Sequence, residues 1–499
     1  MKKNILVILC DQLRADLLSC YGCGSFKTPA IDELAEHGTL FRGAVTASPV
    51  CAPARASMMT GRYVSDHQVW TNDVPFREGM ELLPERMSEM GYRTGCFGKL
   101  HHFPPRDTKG FDTAFLMEEN RMGKDEDYLA WLHEKQREAE DVFPEAGGNF
   151  PYGRSMYYEN WIADRAMDFM IPVEEKPFFS WISFQGPHTP LDPPEEDELN
   201  YIDKEELPYD FHEEFDPPCE VAKYRKYRLD YHYSIEDHRN YRFKYCKLIR
   251  EIDHQVGRIL GFLKKNGIYE DTIIIFSADH GDLCGDYGMR QKGPFLYKGQ
   301  LEIPFIIANH PNLPKGTATD MPVGNLDIGA TVLGAAGSER PFGQSRDIGA
   351  MYQREELRHK VIFSELCDSV KIISSPQYRL AYYPFTGECE LINRNNERIN
   401  LANDPAYQDV LVRMLMHVID FMVCAKGVRI EAQDLTPKVQ HGLREKMPDF
   451  KNDIPLAFPI QNACQIENLK RAGLNYTYNE FCKTRGVLRS YGTYWDAHK

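Results

Sequence analysis

The spacing Cys51-x-Pro53-x-Arg55 places a nucleophilic thiol, a proline and a guanidinium at alternate positions of the chain. Proline is common in the first turn of a helix and glycine just beyond its end, so the sequence predicts a helix from Cys51 to Gly61. Free backbone N–H groups at its N-terminus favour an anion, and Arg55 lies one turn further along the same face. We interpret this segment as an oxyanion-binding pocket; a buried structural cysteine at a helix start is the alternative.

Two pairs of metal-ligating residue types, Asp11-Gln12 and Asp279-His280, directly follow apolar, β-branched runs. Such runs predict buried parallel strands, and the ligand sites of open α/β sheets lie at the carboxyl ends of these strands. Carboxylate and amide oxygens with an imidazole suit a hard divalent cation, Ca²⁺ or Mg²⁺. The sequence thus predicts a metal site at this edge, and hydrogen-bonded structural contacts are the alternative explanation.

Four further basic side chains lie after predicted strands or in the loops between them: Lys99, His101, His188 and Lys292. A lone lysine or histidine is usually a surface charge or a satisfied core group. Two of each near strand ends that converge on one edge of a sheet indicate instead that they belong to the same site.

Predicted strands alternate with predicted helices over the first 350 residues, which is typical of a mostly parallel sheet sandwiched by helices. Beyond this point three short strands and a helix are predicted, at 360–365, 379–383, 389–392 and 405–423. They favour a small antiparallel sheet with one covering helix. We therefore predict an α/β fold with a catalytic domain over residues 1–350, an antiparallel α+β subdomain over residues 351–427 and a tail over residues 428–499.

Several segments outside these elements have two interpretations. The tail, with its prolines, lysines and aromatic residues, is interpreted as wrapping the body or a neighbouring subunit, which predicts a homo-oligomer. Residues 195–237 are acidic and lack helical periodicity, so they predict a solvated insertion, with a lid over the site as the alternative. A long amphipathic helix is predicted at 241–265. Trp70, Asn72 and Asp73 either line the pocket or form a structural turn.

The composition excludes several classes of partner. A net charge of −15 argues against nucleic acid or an anionic membrane, because either would require a basic face. No stretch approaches the roughly 20 apolar residues that span a bilayer. The apolar run at 4–10 imitates a signal peptide but is short and lacks a cleavage site, which predicts a cytoplasmic protein. The 13 scattered cysteines favour reduced thiols over a disulfide framework.

Residues 48–63 of this chain are Ser-Pro-Val-Cys-Ala-Pro-Ala-Arg-Ala-Ser-Met-Met-Thr-Gly-Arg-Tyr. This segment resembles, nearly residue for residue, the signature of the type I sulfatases. In that family a maturation enzyme oxidises the cysteine of Cys-x-(Pro/Ala)-x-Arg to formylglycine (3-oxoalanine). Four other stretches match the family in the same order, among them Gly-Lys-x-His at 98–101 and Pro-His-x-Pro at 187–190. The resemblance implies the fold of the alkaline phosphatase-like superfamily.

The resemblance also implies a role for each candidate residue. The metal would be bound by Asp11, Gln12, Asp279, His280 and the oxidised Cys51. Arg55, Lys99 and Lys292 would neutralise the sulfate group together with the metal. His101 would assist the release of sulfate, and His188 with Lys292 would serve the leaving oxygen.

The activity implied is the hydrolysis of sulfate monoesters, with a small molecule or a sugar carrying the anionic sulfate. Gln12 stands where the family usually has a second aspartate. This Asp-Gln variant resembles the choline-sulfatase-like and phosphonate monoester hydrolase branches of the superfamily. A phosphonate monoester or phosphodiester hydrolase is therefore the alternative, and an unmatured, non-catalytic metal-binding protein is a third hypothesis. Glu302 stands where relatives often have arginine, so substrate contacts at this position do not transfer.

Overall fold

A computed structural model describes residues 2–137, 149–171, 176–195, 201–208, 215–229, 233–367 and 369–424. The predicted tail at 428–499 and parts of the predicted insertion lie outside these residues. The described strands are β1 (Asn4–Asp11), β2 (Gly38–Phe41), β3 (Arg93–Gly98), β4 (Thr113–Leu116), β5 (Phe178–Pro187), β6 (Thr272–Ala278), β7 (Phe305–Ala308), β8 (Thr317–Thr319), β9 (Ile362–Leu366), β10 (Val370–Ser374), β11 (Tyr378–Tyr383) and β12 (Glu388–Asn393). The described α-helices are α1 (Pro29–Glu36), α2 (Cys51–Thr60), α3 (Val64–His67), α4 (Leu83–Glu89), α5 (Asp127–Glu134), α6 (Tyr158–Met170), α7 (Glu220–Leu229), α8 (Ile235–Lys265), α9 (Lys298–Leu301), α10 (Ile328–Ala335), α11 (Ile348–Gln353) and α12 (Gln408–Cys424).

The large sheet has eight strands in the order β4-β3-β5-β1-β6-β7-β2-β8. Neighbouring strands are parallel except at β7, which runs antiparallel to both β6 and β2. Helices α6 and α8 pack on β5, and α4 packs on β3. The predicted mostly parallel sheet with flanking helices is confirmed, while the antiparallel direction of β7 was not predicted.

Strand β1 lies in the middle of this sheet, and its continuous apolar run from Ile5 to Cys10 is fully buried, as expected for a strand covered on both faces. Because β1, β3, β5 and β6 are parallel, their carboxyl ends meet at one edge. The residues at or just beyond these ends are Asp11, Lys99, His188 and Asp279. The topology alone therefore brings four of the predicted site residues together.

The second sheet is antiparallel and has the order β12-β11-β10-β9. Helix α12 covers it, with Met414 and Val418 packed against Ile373 and Leu380. This arrangement confirms the predicted small sheet with one covering helix. Strand β10 was not predicted; the chain reverses into it directly after β9, and Lys371 interrupts its apolar run.

The second sheet shares buried contacts with loops and helices of the larger part of the chain. Val50 and Leu296 from the larger part of the chain belong to the same apolar cluster as Ile372 of β10. The buried Arg379 of β11 forms an ion pair with Glu302, with 2.7 Å between its Nη2 and Oε1. Glu302 is therefore held in a contact between the second sheet and the segment that precedes β7.

Two elements differ from the predictions. Helix α8 begins at Ile235, six residues earlier than predicted, because Ser234 and Asp237 cap it reciprocally. The insertion, predicted to be solvated, contains α7, in which Tyr224 and the cationic Arg225 and Arg228 are all buried. Arginines on the buried side of a helix hide the apolar periodicity that sequence analysis depends on.

None of the helices among the described residues combines the length and the hydropathy that a membrane span requires. The ten cysteines whose side chains are described all have free thiols.

Candidate active site

Helix α2 presents Cys51 as its first residue, and all ten of its residues are buried. It ends at Gly61, which has a φ of +63°, as predicted for a helix-terminating glycine. A Cβ at Gly61 would lie 2.5 Å from Phe342, so only glycine fits between α2 and this aromatic ring. At the other end Asn72 accepts a hydrogen bond of 3.2 Å from the backbone N–H of Ala52. The position of Cys51 is thus fixed from both ends of the helix.

The Cys51 thiol is 1% exposed and surrounded by groups from other strands. Its Sγ lies 3.0 Å from Nζ of Lys292, 3.1 Å from Nε2 of His280 and 3.6 Å from Oδ1 of Asp11. Burial raises the pKa of the thiol, but Lys292, His280 and Lys99 outweigh burial and hold the pKa well below its ordinary value. The surroundings of position 51 therefore favour negative charge.

Asp11, Cys51, Asp279 and His280 form a cluster in which one ligand atom from each residue lies within 4.8 Å of all the others, and all four residues are buried. The Nε2 atom of His280 is 3.9 Å from Oδ1 of Asp11 and 3.8 Å from Oδ1 of Asp279. Ligands that each lie about 2.3–2.6 Å from a shared cation have spacings of this size. Two carboxylates and an imidazole at these distances fit one divalent cation.

Gln12 lies beside this cluster and connects it to a second loop. Its backbone N–H donates to Oδ1 of Asp279 at 2.9 Å, and its Oε1 accepts from Nζ of Lys292 at 2.5 Å. Its side-chain N–H donates to Asp282, a residue that sequence analysis did not identify. Gln12 has a φ of +69°, which is uncommon for a residue with a side chain and is typical of functional sites.

Arg55 is buried, and its guanidinium is surrounded by protein groups. It donates to Oδ2 of Asp279 at 2.8 Å and to Oδ2 of Asp11 at 3.3 Å, and further to the carbonyl oxygen of Lys99 and the hydroxyl of Ser183. The predicted pocket placed Arg55 over an open anion site. The structure places it behind the two carboxylates, because their buried charge requires a cation.

Lys99 and His101 follow β3 and flank position 51. Nζ of Lys99 is fully buried, 2.7 Å from Oδ2 of Asp11 and 3.1 Å from Oε2 of Glu119. Burial lowers the pKa of Lys99, but the two carboxylates raise it further than burial lowers it. Burial and Lys99 lower the pKa of His101 to about 3, so its imidazole is neutral. His101 has a φ of +58°, a second left-handed residue at this edge.

His188 follows β5 and contacts Glu119, with 2.9 Å between Nδ1 and Oε1. Nδ1 is also 2.5 Å from the carbonyl oxygen of Thr189. Burial and Lys292 lower the pKa of His188, but Glu119 raises it, and the net value is about 9. This imidazole is therefore charged at neutral pH.

Glu119 is a site residue that sequence analysis missed, and the signal for it was present. It lies three residues beyond β4, at the same edge of the sheet as the predicted residues. The rule that polar residues after a strand indicate a site would have identified it if β4 had been predicted. The strand has only four residues and only Leu116 is buried, so its pattern is weak.

Trp70, Asn72 and Asp73 were predicted either to line the pocket or to form a structural turn, and all three make structural contacts. Asn72 holds the first turn of α2, and Asp73 pairs with Arg121 at 2.5 Å. Trp70 packs against the apolar cluster shared by the two sheets.

Comparison with known proteins gives consistent matches. The family model described as Sulfatase matches residues 3–338. An arylsulfatase of Clostridium perfringens is 32% identical over 353 residues, which cover 63% of this chain and 70% of that protein. The N-acetylglucosamine-6-O-sulfatase of Bacteroides thetaiotaomicron is 24% identical over 390 residues, covering 68% of this chain and 69% of that protein.

Among solved structures, a phosphonate monoester hydrolase from Silicibacter pomeroyi superimposes with a TM-score of 0.74. It is 22% identical, and the match covers 85% of this chain and 95% of that chain. At this level of identity the similarity establishes a shared fold.

Proposed function

This chain belongs to the sulfatase family and is a sulfuric ester hydrolase, and from this we infer that the site around Cys51 hydrolyses sulfate monoesters of small molecules or sugars. The observation that carries the inference is the set of groups around the thiol, with Nζ of Lys292 at 3.0 Å and Nε2 of His280 at 3.1 Å. A sulfate monoester is an anion, and charge grows on its oxygens during hydrolysis. Fixed cations in a buried site stabilise that charge.

Asp11, Asp279, His280 and the oxidised side chain of position 51 would hold the divalent cation, and their observed spacing fits Ca²⁺ or Mg²⁺. The metal and formylglycine would supply a Lewis acid and an oxygen nucleophile. Gln12 would add its neutral side-chain oxygen as a further ligand of this cation. Because Cys51 is buried in the folded chain, we infer that the maturation enzyme acts before folding.

The remaining residues bind the substrate and move protons. Lys99 and Lys292 compensate the charge of the sulfate group from two directions. His101 is neutral and can accept a proton beside position 51, whereas His188 is charged and can donate one to the departing oxygen. The two histidines thus differ in protonation, as an acid and a base of one reaction must.

The alcohol that carries the sulfate is proposed from the relatives. One of them is named an arylsulfatase and another an N-acetylglucosamine-6-O-sulfatase, which supports an aryl or sugar sulfate as substrate. The neutral Gln12 and the structural similarity to a phosphonate monoester hydrolase support phosphonate monoesters as the second candidate.

The test is a comparison of kcat/KM for 4-nitrophenyl sulfate and 4-nitrophenyl phenylphosphonate, using protein produced together with a formylglycine-generating enzyme. Mass spectrometry of the peptide containing Cys51 measures the fraction converted. We expect the sulfate to be the better substrate and Cys51→Ala to lose turnover of both. A higher kcat/KM for the phosphonate would select the second candidate. Full conversion with hydrolysis of neither ester, nor of N-acetylglucosamine 6-sulfate, would contradict the proposed function.

A further inference from the structure

We propose that Glu119 is a positioning residue of the sulfatase reaction, which holds His188 in the orientation from which its imidazole can protonate the leaving oxygen. This inference rests on the proposed function. Glu119 lies in the loop after β4, at the same edge of the sheet as the other site residues.

Both oxygens of Glu119 are engaged by groups of the site. Oε1 lies 2.9 Å from Nδ1 of His188 and accepts from the side-chain N–H of Gln185, while Oε2 lies 3.1 Å from Nζ of Lys99. A free carboxylate would repel an anionic ester. Here its charge is compensated on both sides, so it can lie in this site without opposing substrate binding.

The contacts of His188 define which of its protons can move. Nδ1 faces two acceptors, Oε1 of Glu119 and the carbonyl oxygen of Thr189, so its proton is held in hydrogen bonds. The transferable proton is therefore the one on Nε2. In the transfer a nucleophilic oxygen at position 51 would form the new bond to sulfur. The ester S–O bond breaks with its electron pair on the departing oxygen, the Nε2 proton moves to this oxygen, and the neutral imidazole later regains a proton from water.

The backbone around Glu119 has an uncommon conformation that fixes the position of its side chain. Glu119 and Asn120 have φ values of +55° and +63°, a left-handed conformation that costs energy in residues with a side chain. The buried Glu126 holds this turn by accepting from the backbone N–H of Asn120 at 2.9 Å.

The charges that face His188 come from several elements and act in opposite directions. Lys292, in the loop after β6, and Lys99, after β3, lower its pKa; Glu119, after β4, and Asp11, at the end of β1, raise it. The net pKa of about 9 therefore depends on Glu119. Without this carboxylate, the two lysines would dominate.

The experiment measures kcat/KM against pH for phenyl sulfate, whose leaving group requires a proton, and for 4-nitrophenyl sulfate, whose leaving group does not. The ratio of the two values removes effects on sulfate binding. A general acid must be protonated, so activity falls as pH rises through its pKa, and a lower pKa moves this fall to lower pH.

In Glu119→Gln we expect the pKa of His188 to fall to its ordinary value of about 6.5 or below, so the phenyl to 4-nitrophenyl ratio should drop at least about thirtyfold at pH 8 and by a much smaller factor at pH 6. Glu119→Asp keeps the charge and should retain an intermediate ratio. It also serves as the test if the glutamine variant does not fold. An unchanged ratio across the pH range in either variant would overturn the proposal.

The matched control is Glu118→Gln, which removes the adjacent carboxylate. Glu118 accepts from the backbone N–H groups of Leu100 and His101 and does not contact His188. In Glu118→Gln the fall of the phenyl to 4-nitrophenyl ratio with rising pH should occur at the same pH as in the wild type, whatever the overall rate of the variant.

In a His188→Ala background, Glu119→Gln should cause no further change of the ratio, whereas an additive loss would mean that Glu119 acts elsewhere. Failure of the wild type to hydrolyse either ester would instead contradict the proposed function.

Discussion

Arg55 is buried together with the two carboxylates it contacts, Asp11 and Asp279. Removing one partner of such a group leaves uncompensated charge in the interior, which costs about 3–5 kcal/mol. We therefore expect Arg55→Ala to lower the free energy of unfolding by about that amount. The measurement is urea denaturation in the presence of a chelator, so that a bound cation does not replace the missing charge.

Arg62 provides the control for this prediction. It lies two residues beyond the end of α2 and pairs with Asp66 at 2.6 Å, but it is partly exposed, and Arg77 pairs with the same carboxylate. We expect Arg62→Ala to cost less than about 1 kcal/mol. Equal losses for the two arginines would show that Arg55 does not compensate buried charge.

The site could be predicted from sequence where residue type and position after a strand are sufficient, as for Asp11, Asp279 and His188. It could not be predicted where a role depends on neighbours distant in the chain. Glu119 follows β4, a strand whose weak pattern left it unpredicted, and its contacts with Lys99 and His188 form only in the folded chain. The orientation of Arg55 toward protein carboxylates is likewise a property of the folded chain.

At the scale of elements, the end of α2 gives a prediction with a matched control. Gly61 and Gly267 each follow a helix and have similar φ values, +63° and +68°. A Cβ at Gly61 would lie 2.5 Å from Phe342, whereas a Cβ at Gly267 meets no atom within 4 Å. Both alanine variants lose about 1–2 kcal/mol to the left-handed conformation. Gly61→Ala should lose a further 1–3 kcal/mol, roughly, to overpacking.

Thermal or urea denaturation of the two variants measures this difference. We also expect Gly61→Ala to reduce turnover, because the end of α2 sets the position of Cys51. Identical stabilities for Gly61→Ala and Gly267→Ala would mean that Phe342 moves aside without cost, and that α2 is not fixed at this end.

Strands with long apolar runs were predicted well, but the direction of a strand relative to its neighbours in the sheet was not always predicted. The apolar runs of β1 and β6 identify buried strands whatever their orientation. The direction of β7 depends instead on the connection from β6, which contains His280 and Lys292. This connection stays at the carboxyl end of β6, so β7 runs back antiparallel to it. Periodicity describes which residues are buried and contains no information on such a return.

At the scale of the whole molecule, the contacts between the two sheets determine how the chain unfolds. Val50, Leu296 and Ile372 share one apolar cluster, and the ion pair of Arg379 with Glu302 lies between the sheets. Unfolding the small sheet alone would expose both the cluster and the buried arginine. The small sheet therefore depends on the larger part of the chain for part of its core, whereas the buried residues of the large sheet's main apolar cluster all precede β9.

In calorimetric terms, the described part of the chain should melt as a single cooperative unit. We expect differential scanning calorimetry to give one endotherm, with a van't Hoff enthalpy equal to the calorimetric enthalpy, under conditions in which the protein refolds after heating. Two resolved endotherms would show that the small sheet melts independently. A single endotherm has a consequence for evolution: the small sheet could not be exchanged between relatives as a module, and changes on it would be inherited together with compensating changes in the loops and helices that it touches.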